Sequence, residues 1–253
     1  VNKKLVVQRP QSARKGLTSG TPTAPEENAF SGSEKKQREI TLTLGVFFDG
    51  TGNNAVNTSN MQQACSANYF GFSDPDAEAL WRRCADDSFG VAGNSATSYL
   101  GHYTNVHWLA TLYRRNLLAD DSGIQQAIYI DGIGTEAGKP DSIIGQGLGI
   151  SDTGVLAKTE KAVSLITATL KQSIQQISST LLADTELVIK SLQFDLFGFS
   201  RGAAAARHFA KRIHSEEPSI IDAVRQGLGD TLYHGTPAGK IRDRTSTRLT
   251  PVP

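Results

Sequence analysis

The stretch from Leu192 to Phe209 restricts what this chain can become more than any other. Leu192, Phe194 and Leu196 alternate with Gln193, Asp195 and Phe197, the period-2 pattern of an extended segment, and the alanines 203–206 that follow favour a helix. Between strand and helix lies Gly198-Phe199-Ser200-Arg201-Gly202. Gly-x-Ser-x-Gly alone is a weak pattern in a chain with 24 glycines. Its placement in a strand-to-helix turn predicts a nucleophile elbow, in which a serine sits on a strained bend with its hydroxyl exposed while the flanking glycines let two backbones pass closely. The competing reading is an ordinary strand-helix unit in which Ser200 is only an N-cap.

Two other blocks share this grammar. Ile40 to Phe48 alternates and then runs fully apolar, as a strand entering a sheet covered on both faces does, and ends in Asp49-Gly50-Thr51-Gly52-Asn53-Asn54. Gln126 to Ile130 reads as a short buried strand, ending in Asp131-Gly132-Ile133-Gly134-Thr135. In open α/β sheets the carboxyl ends of strands are where ligands bind. The first loop also admits a plain tight turn or a phosphate-binding turn, although no lysine follows in P-loop spacing. The Gly-rich run continuing through Gly149 lacks the context of a dinucleotide fingerprint, so it reads as a mobile loop and no cofactor is expected.

Gly198-Phe199-Ser200-Arg201-Gly202-Ala203, Phe47-Phe48-Asp49-Gly50-Thr51-Gly52-Asn53-Asn54 and Tyr129-Ile130-Asp131-Gly132-Ile133-Gly134-Thr135, in this order, resemble the α/β-hydrolase family of type VI secretion phospholipase effectors. The resemblance covers roughly residues 40–215. It implies an α/β-hydrolase-like fold, a mainly parallel sheet with helices on both faces, and Ser200 as nucleophile. It also implies an oxyanion hole from the Arg201 amide and an amide of Gly50 or Thr51. The activity implied is that of a serine esterase on membrane phospholipids, an antibacterial effector with a secretion-spike carrier and an immunity protein as partners. The alternative is a catalytically silent hydrolase-like module that docks on the spike.

The family's acid and histidine follow the serine, at the ends of later strands. Here no alternating strand is evident after Ser200, and Asp230 with His234 is the weak candidate pair. The expectation is a nucleophile-bearing part, truncated or completed by another chain. His102 and His107 precede the serine and read as structural. Arg201 either faces a lipid phosphate or pairs with a neighbouring carboxylate.

Around this core, residues 1–39 hold eight Lys/Arg against four Asp/Glu with few large apolar residues, and read as a disordered polar tail. The remainder is mildly acidic, which argues against a nucleic-acid surface. No 18-residue apolar run and no secretory signal are evident, so synthesis in the producer's cytoplasm and delivery into a target cell by another machine are expected. Residues 55–99 read as an insertion with a short helix near 76–84 and an aromatic cluster at Tyr69 to Phe72. Cys65 and Cys84 within it read as reduced thiols, with a disulfide as the alternative. They supply too few ligands for a metal. Helical periodicity marks residues 104–118 and 155–183, and residues 216–253 read as an irregular segment with one helical turn near Ile220.

Overall fold

The order of burial along β2 (Lys36–Phe48) explains the layers. Ile40, Leu42, Leu44, Val46 and Phe48 are buried in the main core, while Phe47 belongs to a separate cluster on the opposite face. A strand with apolar groups on both faces belongs in the middle of a sheet. β2 indeed pairs in parallel with β3 (Gly123–Ile130) on one side and with β4 (Thr185–Gly198) on the other, giving a mixed α/β fold around a three-stranded parallel centre. The computed structural model describes residues 3–6, 36–65, 74–113, 123–148, 152–179, 185–229, 232–233, 236–237 and 248–251.

Beyond β4 the sheet turns antiparallel, with β1 (Lys3–Val6) on β4 and β7 (Arg248–Pro251) on β1. β5 (Leu232–Tyr233) pairs with β4 in parallel, and β6 (Thr236–Pro237) pairs with β5. The segment expected to be a polar tail therefore contributes two pieces of sheet. Lys3–Val6 is strand, and β2 begins at Lys36 rather than Ile40, because its charged first residues pair with β4 while staying largely outside the core.

Three helices cover the main core: α6 (Val155–Ser178), α7 (Arg201–His214) and α8 (Pro218–Leu228). α6 ends five residues short of the predicted boundary and buries Val163, Ile166, Leu170 and Ile177 along one stripe. α8 corrects the expectation of an irregular segment. Pro218 occupies its first turn, and Ile220, Ala223, Val224, Gly227 and Leu228 form an i, i+3, i+4, i+7, i+8 face. Polar neighbours diluted that periodicity in the sequence. At Gly227 the absent side chain lets α8 approach α6, since a Cβ there would lie 2.6 Å from the Leu170 Cβ.

The opposite face carries α4 (Asn105–Tyr113), whose Val106 and Ala110 meet Phe47, Tyr113, Ala127 and Tyr129. The expected loop-rich insertion is mostly helical: α1 (Ala55–Cys65), α2 (Asp74–Phe89), a 3-10 turn (Gly93–Ala96) and α3 (Thr97–Leu100). These elements enclose a core of Met61, Cys65, Ala85, Val91, Ala96 and Tyr99. Cys65 and Cys84 are disulfide-bonded with Cα atoms 6.0 Å apart, which corrects the reduced-thiol reading: the small insertion core brings α1 and α2 together at bonding distance. The aromatic cluster 69–72 lies outside the described residues. Among those described, no helix is long and apolar enough to cross a membrane.

The disulfide closes a loop of 19 residues, a constraint worth about 3 kcal/mol on the chain-entropy account. Cys65→Ser/Cys84→Ser is expected to lower the thermal midpoint by several degrees, and dithiothreitol is expected to lower the parent's midpoint without affecting the variant's.

Candidate active site

In β4, parallel pairing with β2 runs in register to Phe48↔Gly198, so the loop after β2 and the bend after β4 emerge side by side. At that bend Ser200 has φ 55° and ψ −128°, a backbone conformation rare for a residue with a side chain. Such a conformation costs on the order of 1–3 kcal/mol. Ser200 occupies the N-cap position of α7 but its side chain makes no capping hydrogen bond, and the residue is exposed. A cap would need extended backbone and a hydroxyl turned onto the helix amides. The geometry is that of an elbow and not of a cap.

The flanking glycines show why the bend can exist. A Cβ on Gly202 would stand 2.3 Å from the Asp49 carbonyl oxygen and 2.4 Å from that of Phe48, and one on Gly198 would stand 2.5 Å from the Gly202 carbonyl oxygen. The start of α7 is thus pressed against the end of β2. Gly132 makes the matching approach from the β3 loop: its amide donates to the Asn53 carbonyl at 2.7 Å, and a Cβ would overlap the Gly50 carbonyl. The three motif blocks form one interlocked surface at the carboxyl edge of the sheet.

Asp49 fixes the middle block. Its carboxylate is 2% exposed and accepts from the Gly50 amide at 2.7 Å, the Thr104 hydroxyl at 2.8 Å and the Tyr129 phenol at 2.6 Å. Burial first, then the Asp49 charge, push the Tyr129 phenol far above its ordinary pKa, so it stays a donor. Tyr129 also accepts the Ala55 amide at 3.2 Å, and Thr104 accepts the His107 amide at 3.1 Å, tying the starts of α1 and α4 to the end of β2. Asn54 caps α1 through its side-chain oxygen, which accepts the Val56 and Asn57 amides at 3.0 and 3.2 Å.

Of the two loop amides predicted for an oxyanion hole, Gly50's is engaged by Asp49. Thr51's amide has no hydrogen-bond partner among the described residues, and the Thr51 hydroxyl is likewise buried without one. Phe199, 62% exposed, lies over Gly50, where a Cβ would meet its ring at 2.7 Å. Arg201 opens α7, where amides have no intrahelical acceptor.

Asp131 closes β3 as Asp49 closes β2, but it is neutralised by cations. Lys158 donates to it at 2.7 Å and to the Thr135 carbonyl at 2.7 Å, and Lys161 donates to its other oxygen. Asn54 and Thr135 complete the shell at 3.5 and 3.4 Å. Burial raises the Asp131 carboxyl, but the two lysines outweigh it and hold the group below the usual carboxylate range. Neither clamp was read from the sequence. The signal for both was the Asp-Gly pair that ends each of two neighbouring apolar strands.

No described histidine hydrogen-bonds to Ser200. His107 stacks on Tyr103 at 4.4 Å, and His208 faces the Thr159 hydroxyl at 3.2 Å. Asp230 and His234 lie outside the described residues.

Two predictions follow from these contacts. Gly202→Ala forces the elbow off β2 and is expected to cost about 1–3 kcal/mol, the range for overpacking, as a loss of chemical-denaturation free energy. For Asp131, a carboxyl held low in the fold contributes stability that is complete above its unfolded value of about 4 and fades as pH falls through the lower folded value. Denaturation midpoints measured from pH 7 to pH 3 are therefore expected to fall with acid, and to fall less steeply in Asp131→Asn.

No protein-family model matches the chain, and no curated protein matches it. The chain is similar to the Tle1 effector in a solved structure of that effector bound to the VgrG spike from the type VI secretion system, with 32% identity and a TM-score of 0.47. The alignment covers 94% of this chain and 42% of that one, so this chain spans less than half the length of the protein it matches.

Proposed function

We propose that this chain presents the nucleophile of a serine esterase acting on membrane phospholipids, as part of an antibacterial effector delivered by a type VI secretion machine. The single observation carrying the reading is Ser200: an exposed hydroxyl, uncommitted to capping, on left-handed backbone at the carboxyl end of a parallel strand. The phospholipid, the spike-protein carrier, the immunity protein and delivery to a target cell's periplasm follow from the motif resemblance.

In this reading the Ser200 oxygen adds to the ester carbonyl carbon and its proton passes to a histidine base. The carbonyl π electrons move onto oxygen, where the Arg201 amide and a loop amide stabilise them. Thr51 is the better loop donor because the Gly50 amide already serves Asp49. Each such donor is worth about 3 kcal/mol of barrier. Collapse expels the alcohol with the proton from the base, and water then releases the acyl group from Ser200. Asp230 and His234 are the proposed acid and base within this chain, or their places are taken by residues beyond it.

One observation favours a second reading. Among the described residues the Ser200 hydroxyl has neither a histidine nor a carboxylate as hydrogen-bond partner, as expected of a silent module that docks on a spike protein. A fluorophosphonate probe separates the two. The esterase reading expects covalent modification at Ser200, absent in Ser200→Ala, together with fatty acid release from phospholipid vesicles. A folded protein that neither labels nor releases fatty acid, even when joined to the remainder of its effector chain, overturns the esterase reading in favour of the silent module.

A further inference from the structure

Between the start of α1, the inner side of α4 and the edge strand β3 lies a cavity of about 470 Å³, inside the roughly 300–1,000 Å³ span of small-molecule pockets. Val56, Tyr103, His107, Thr111, Ala127 and Tyr129 form much of its lining, and among the described residues no Asp, Glu, Lys or Arg side chain contributes. Burial lowers the pKa of His107, with the Asp49 charge opposing, so the imidazole is neutral at neutral pH.

Several of the wall's polar atoms are already committed. The Tyr129 phenol donates to Asp49 and accepts from the Ala55 amide. The Thr111 hydroxyl donates to the His107 carbonyl at 3.0 Å, and the Ser59 hydroxyl accepts from the Gln63 side chain at 3.0 Å. A phosphate would enter without a cation among the described residues to meet it, and a peptide would bring many amide groups to a wall with part of its polar atoms already paired. Both penalties run to kcal/mol per group. A hydrocarbon chain incurs neither and gains by leaving water.

The cavity is linked to the proposed reaction centre through two packed side-chain and backbone contacts. Tyr129 reaches Asp49 at 2.6 Å, and the Asp49 carbonyl is the group against which Gly202 of the elbow is pressed. We propose that this cavity takes the hydrocarbon chain of the ester substrate. The proposal rests on the esterase reading, but binding of the chain does not require Ser200 to react.

Trp108 stands edge-on to the rings of Tyr103 and His107, at 5.3 and 5.2 Å, and reports on the cavity. The chain has two tryptophans, so Trp81→Phe leaves Trp108 as the sole tryptophan, excited selectively over tyrosine at long wavelength. In that background, titration with 1-decanol, an uncharged alkyl chain, is expected to give a saturable change in Trp108 fluorescence. Thr111→Phe and Val56→Phe, at exposed positions where the added ring fills the cavity, are expected to weaken it at least tenfold. Ser200→Ala is expected to leave it unchanged. Absence of saturable binding, equal binding by both filled variants, or displacement of decanol by glycerophosphocholine would overturn the proposal. Fluorophosphonate labelling of Ser200 in the parent protein is read separately, so loss of the cavity proposal and loss of the esterase reading are distinguishable.

Discussion

The contact on which everything else depends is backbone against backbone. Gly202 brings the first turn of α7 onto the carbonyls of Phe48 and Asp49, and Gly132 brings the β3 loop onto the carbonyl of Gly50. These approaches are closer than any side chain allows, so they fix three chain segments of distant sequence in one arrangement. The parallel register between β2 and β4 delivers the segments to the same edge, and the glycines then let them touch. The strain at Ser200 is held by this junction, since a residue in a costly conformation persists only where its surroundings over-determine it.

Two buried carboxylates stiffen the same edge in different ways. Asp49 is solvated by neutral donors from a loop amide, a threonine and a tyrosine, and so resembles an anion held in a cage of dipoles. Asp131 is held by two lysines from α6 and so links sheet and helix by charge. Removing one partner of a buried pair leaves the other stranded, at a cost of about 3–5 kcal/mol, so each site couples the elements it joins. Both carboxylates sit one residue before a glycine, which gives the loops anchors next to their points of closest approach.

The alternation at Leu192, Phe194 and Leu196, the apolar run of β2 and the spaced apolar face of α6 were plain in the sequence because each strand or helix buries a regular face. Ser200 was legible for the same reason, since strand, Gly-x-Ser-x-Gly and helix leave few geometries. What local pattern does not encode is which distant donor meets a buried acceptor. Asp49 meets Thr104 and Tyr129 across gaps of 55 and 80 residues, and nothing in either neighbourhood marks the pairing. The disulfide was ambiguous for a related reason: two cysteines 19 residues apart bond only because Met61, Ala85 and Tyr99 build a small core that holds α1 against α2. α8 was diluted by its polar face, and β1 is too short to stand out in a basic stretch.

Left-handed backbone at Ser200 makes that position a thermodynamic burden on the fold. A side chain there carries a penalty of about 1–3 kcal/mol, comparable to a sizeable fraction of the margin by which small domains stay folded. Glycine, with no side chain to clash, would relax it at once. That burden is carried without the compensation of a capping hydrogen bond, so the serine detracts from folding at this position rather than supporting it.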